Sequence, residues 1–88
     1  MGSVRQERPP APAFRSGAVA RLTGIPVETL RVWERRYKVV GPQQSPTGRR
    51  QYSPDEVTRL SVIKRLVDLG YAIGSIAALD VDHLQSML

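Results

Sequence analysis

Residues 16–37 read SGAVARLTGIPVETLRVWERRY, and the fold is decided there. Val19 and Leu22 lie three apart, then Val27, Leu30, Trp33 and Tyr37 follow at intervals of three, three and four. Such intervals gather apolar side chains on one side of a helix. Ser16 stands where an N-cap is needed, and Gly24 suits the left-handed position that closes a first helix. Ile25 and Pro26 then form a short turn into a second. Two short helices joined by a tight turn containing glycine outline a helix-turn-helix.

Downstream, Gly41, Pro42, Pro46 and Gly48 break the helical period. Residues 38–52 therefore read as a loop or small β-hairpin tipped around Ser45 to Gly48, with Arg49, Arg50 and Tyr52 on the return arm. A third helix opens with Ser53 as N-cap, Pro54 in the first helical position and Glu56 placed to reach back to the cap amide. Val57, Leu60, Ile63, Leu66 and Val67 give it a wide apolar stripe, and Gly70 ends it. A fourth helix is expected from Tyr71 to Leu79 on Ile73, Ile76 and Leu79, and Asp82 is placed to cap a last turn. Upstream, residues 1–13 carry Pro9, Pro10 and Pro12 without apolar periodicity, as a flexible tail would. The division is thus a tail, 1–13, and one domain, 14–88. Met87 and Leu88 are still apolar, which creates the expectation that the natural polypeptide continues.

The net charge of +5 is unevenly spread. Residues 1–30 sum to +2, residues 31–50 to +5 and residues 51–88 to −2. Concentrating cations on the second helix and the hairpin suits a surface that meets a polyanion. Several classes are excluded. There is no cysteine for a disulfide, thiolate zinc site or nucleophile, and the lone His83 makes no metal cluster. The carboxylates sit at helix ends, where capping accounts for them, so no catalytic constellation is present. Gly41 and Gly48 are not followed by Gly-Lys-Ser or Gly-Lys-Thr, which removes a phosphate loop. No apolar run approaches the roughly 20 residues that cross a bilayer. The N-terminus also lacks an apolar signal segment, so no membrane partner and a cytoplasmic location are expected.

Double-stranded DNA fits the parts best. The second helix of a helix-turn-helix enters the major groove, where guanidinium groups donate to guanine or to phosphates. Arg31 and Arg35 are one turn apart and share a face, while Arg36 lies off that line and suits a phosphate. Glu34 is spaced to pair with Arg31 or Lys38. A solvated helix surface is the plain alternative for the arginines, and core packing is the plain alternative for Trp33 and Tyr37, whose polar tips could still reach a phosphate. A basic module docking an acidic protein regulator also fits the charge map. RNA binding lacks a stacking platform.

Taken together, SGAVARLTGIPVETLRVWERRY, TGRRQYS and PDEVTRLSVIKRLVDLGYAIGSIAAL resemble the N-terminal DNA-binding domain of the MerR family of bacterial transcription regulators, over Phe14 to about Leu79. The combination of TLR-x-W-E, G-x-R-x-Y and S-x-x-E at these distances carries the resemblance. It implies a mainly α fold, a winged helix-turn-helix with a small β-hairpin wing and two further helices. It also implies DNA contacts by Arg31 and Trp33 of the recognition helix and by Arg50 and Tyr52 of the wing, which join Arg35, Arg36, Tyr37 and Arg49 in the candidate DNA-binding set. Arg31 would read bases while Arg50 grips phosphate. Arg49 stands where many members have tyrosine, and Pro26 where members usually place a capping serine. The partner implied is an operator, an inverted repeat bound by a homodimer of the full-length protein, with repressor as the working description although no residue here fixes the sign. The WERRY ending resembles the subgroup that often carries a C-terminal cobalamin-binding domain. No cofactor is expected within these residues.

Overall fold

The computed structural model describes residues 13–44 and 48–88. The expected tail lies outside them except for Ala13, and the expected hairpin tip lies outside them except for Gly48. The first two helices form as their spacing requires. Helix α1 spans Ser16–Thr23 and ends on Gly24 at φ 78°, a left-handed conformation that glycine adopts without steric cost. Helix α2 spans Val27–Val32 and runs on as one wider, π-helical turn, Trp33–Tyr37, which closes on Lys38 at φ 52°.

Arg15, not Ser16, is the N-cap of α1, and no side chain caps it. Pro26 caps α2 without a side-chain acceptor, and Thr23 steadies the turn instead. Its hydroxyl donates to the Val19 carbonyl at 2.7 Å and accepts from the Ile25 amide at 3.2 Å. Leu22, expected beside Val19 on the buried face, is 60 % exposed.

Strands β1 (Gln43–Gln44) and β2 (Arg50–Gln51) pair antiparallel, Gln43 opposite Gln51 and Gln44 opposite Arg50. Sequence periodicity gave no sign of the next pairing. Phe14 and Tyr52 exchange two backbone hydrogen bonds, 2.9 and 2.8 Å long, so the segment before α1 is stitched to the end of the hairpin.

Helix α3, Pro54–Asp68, is the platform. Its capping box is complete: the Glu56 amide donates to Ser53 Oγ at 3.1 Å, and the Ser53 amide donates to Glu56 Oε1 at 2.9 Å. Leu60, Ile63 and Leu66 are fully buried, and Val57 and Val67 pack at the margin. Around this stripe lie α1, α4 (Ile73–Ile76) and α5 (Val81–Ser86). Gly70, at φ 109°, turns the chain between α3 and α4.

Helix α4 is shorter than the expected 71–79. Gly74 and the β-branched Ile73 and Ile76 are weak helix formers, and Arg59 of α3 engages the carbonyls that follow. Its Nε donates to Val39 at 2.6 Å, Nη2 to Ala77 at 2.6 Å and Nη1 to Leu79. One guanidinium thus ties the loop after the recognition helix to the C-terminal segment. Asp80, not Asp82, caps α5 by accepting from the His83 amide at 2.8 Å. The expected winged helix-turn-helix is present, with three helices rather than two behind it.

Candidate nucleic-acid interface

Leu30 and Trp33 pin the recognition helix to the core, at 0 and 8 % exposure. The opposite side therefore faces outward, and Glu28, Arg31, Val32 and Arg35 are exposed along it. Arg36 is exposed as well and lies over the Tyr37 ring, 5.7 Å from its centroid, in cation–π range. Tyr37 itself is half-buried, and a β-carbon at Gly74 would meet its ring edge at 3.5 Å, an ordinary van der Waals contact.

The hairpin stands beside this face and creates two open basic grooves. One is lined by Arg31, Glu34, Arg35, Lys38 and Arg50 together with Val40, Gly41 and Pro42. The other runs between the start of α1 and the wing and is lined by Arg15, Ser16, Gly17, Arg31, Gly48, Arg49 and Arg50. Arg31 and Arg50 border both grooves, so they form the ridge between them. Arg15 escaped the sequence reading as a site residue. The pairing of Phe14 with Tyr52 brings it to the wing, and no local pattern announces a contact spanning that much of the chain.

Glu34 is the departure with most consequence. It is the buried charge of the domain's described residues, and its carboxylate accepts from the Arg50 guanidinium and from the Tyr52 hydroxyl. It does not bond to Arg31 or Lys38, the partners its helical spacing suggested. A carboxylate removed from water needs such partners, since burial without them is costly. The arrangement joins the recognition helix to the wing through one side chain. A signal for it existed, because Glu34 falls four residues after Leu30 and hence on the inward side of the helix.

The expected contact residues therefore divide. Arg31, Arg35 and Arg49 are exposed and line the grooves, while Arg36 is exposed but lines neither. Arg50 lines both grooves with its side chain 39 % exposed, one guanidinium nitrogen being engaged by Glu34. Trp33 is a core residue, and Tyr52 is fully buried with its hydroxyl turned inward. Tyr52 is thus corrected from a surface contact to an internal support of Glu34. Both aromatics lie where a helical or strand stripe meets the core, and burial of their large apolar area outweighs exposure.

Among the described residues no group of three His, Cys, Asp or Glu side chains is placed to hold a metal ion, and no helix is long and apolar enough to cross a membrane. Comparison with known proteins points the same way as the geometry. Residues 14–80 match the family described as MerR HTH family regulatory protein. The HTH-type transcriptional repressor CarH of Myxococcus xanthus is 44 % identical over 66 residues, covering 75 % of this chain and 22 % of CarH. The mercuric resistance operon regulatory protein of Bacillus cereus is 38 % identical over 63 residues, 72 % of this chain and 48 % of the relative. The HTH-type transcriptional regulator MlrA of Salmonella typhimurium is 36 % identical over 66 residues, 75 % of this chain and 27 % of MlrA. The chain thus matches between about a fifth and a half of the length of these relatives.

Proposed function

The chain belongs to the MerR family of helix-turn-helix regulatory proteins, whose members are transcription regulators and not enzymes, and on that premise we propose that it recognises a specific operator through α2 and the wing. Arg31 and Arg35 meet base edges in the major groove. Arg15, Arg36, Lys38, Arg49 and the exposed part of Arg50 meet phosphates on either side. The observation that carries this reading is the division of the surface: the cations of α2 and the wing stand outside around two grooves, while the aromatics and the carboxylate between them turn inward.

In the whole protein the same surface would be used twice, by a homodimer on an inverted repeat in the cytoplasm. Likeness to a relative named a repressor favours repression as the sign. Its WERRY segment resembles the cobalamin-associated subgroup; any cobalamin would belong to a further domain, and no residue described here is assigned to it.

Replacing Arg31 by Ala should weaken binding to the preferred duplex by about 1 to 3 kcal/mol and relax preference at neighbouring base pairs. Arg49→Ala should weaken binding to every duplex alike and reduce the slope of log K against log salt by about one. Gel-shift titrations at several salt concentrations separate the two effects. Parent-like binding by both variants would remove the proposed surface. An acidic protein as the real partner would appear as equal affinity for preferred and scrambled DNA.

A further inference from the structure

Val32 does not fit its surroundings. It is 38 % exposed and takes no part in the core, yet it sits in the outward stripe of α2 among Glu28, Arg31 and Arg35. A β-branched residue gives up rotamer freedom in a helix, and burial is the usual return for choosing one there. Here more than a third of the residue stays exposed, so that return is incomplete. Residues that break a local rule without a structural gain concentrate at functional positions.

We propose that Val32 reads the 5-methyl group of a thymine in the major groove, adjacent to the base pair met by Arg31. The inference rests on the DNA-binding reading and adds to it a residue that determines specificity. Among the bases thymine alone displays a methyl group on the major-groove edge, so an apolar side chain facing that groove discriminates by contact without a hydrogen bond. The neighbours set the register. Arg31 precedes Val32 directly and Arg35 follows by three residues, and all three are exposed on the outward side of the helix, so one apolar knob stands beside two guanidinium groups. Both methyls of Val32 are held by a stiff χ1 torsion, and little freedom remains to be lost on contact. The helix leaves regular α geometry at Trp33, immediately after Val32, so Val32 is the last residue presented from the regular part of the helix.

The test uses the 88-residue chain itself and a randomised duplex pool. Each thymine of the recovered consensus is then replaced in turn by deoxyuridine, which lacks only the methyl group. For the parent, one thymine beside a guanine should be sensitive, with affinity falling about three- to fivefold, the worth of one buried methyl. Val32→Ala should bind the thymine and uracil forms alike at that position while melting at the parent's temperature. Val32→Thr, which keeps one methyl, should retain part of the discrimination. An unchanged thymine preference in Val32→Ala, or no sensitive thymine in the parent, overturns the assignment while leaving the DNA-binding reading in place. A pool without any enriched sequence overturns both.

Discussion

At the scale of single residues, the centre of the domain is one carboxylate with two donors. Glu34 lies between the Arg50 guanidinium and the Tyr52 hydroxyl, away from water. Tyr52→Phe keeps the ring and removes one donor, so unfolding in urea should show a loss of about 1 to 3 kcal/mol. Glu34→Gln keeps the shape and removes the charge facing Arg50, with a loss of similar size. Combining Glu34→Gln with Arg50→Gln should cost less than the two single losses added together, because either change already breaks the pair. Strict additivity would show that the contact contributes nothing. This cluster was only half legible in the sequence. The position of Glu34 on the inward side of α2 follows from its spacing to Leu30, but its partners come from the hairpin 16 and 18 residues later, and helical spacing names only local ones.

At the scale of elements, α3 was the most legible and the C-terminal segment the least. Ser53, Pro54 and Glu56 state where α3 begins, and its apolar stripe states which side is buried. Those signals are local and mutually consistent, which is why the structure repeats them. The segment after α4 is instead held by Arg59, a residue of another helix whose role no periodicity expresses. Removing the guanidinium in Arg59→Ala leaves the carbonyls of Val39, Ala77 and Leu79 without that donor. The expected loss of stability is about 2 to 4 kcal/mol in urea unfolding. Arg59→Lys should recover less than half of it, because an ammonium cannot present the planar fork that reaches three acceptors. A loss below about 0.5 kcal/mol in Arg59→Ala, the range of an ordinary surface change, would show that the brace is dispensable.

At the scale of the whole molecule, the uneven charge of the chain becomes a spatial division. The segment carrying +5 folds into α2, the loop and the wing, and the −2 segment forms the helices behind them. That much follows from sequence order, because the helix-turn-helix and hairpin come first and the supporting helices after. The share of Arg15 does not follow. It joins the basic surface only because Phe14 pairs with Tyr52 across the fold. The same folding sorts the expected contact residues, sending Trp33 and Tyr52 inward and leaving the arginines outward. The surface that results is a set of cations around a ridge of Arg31 and Arg50. Its claim to sequence-specific recognition is tested most directly by titrating the parent and Arg31→Ala against the duplex selected from a random pool and against a scrambled duplex of equal composition, at one salt concentration. The parent should prefer the selected duplex by at least about tenfold, a difference of about 1.4 kcal/mol, and Arg31→Ala should lose most of that preference while still binding the scrambled duplex. Equal affinity of the parent for both duplexes would contradict the account.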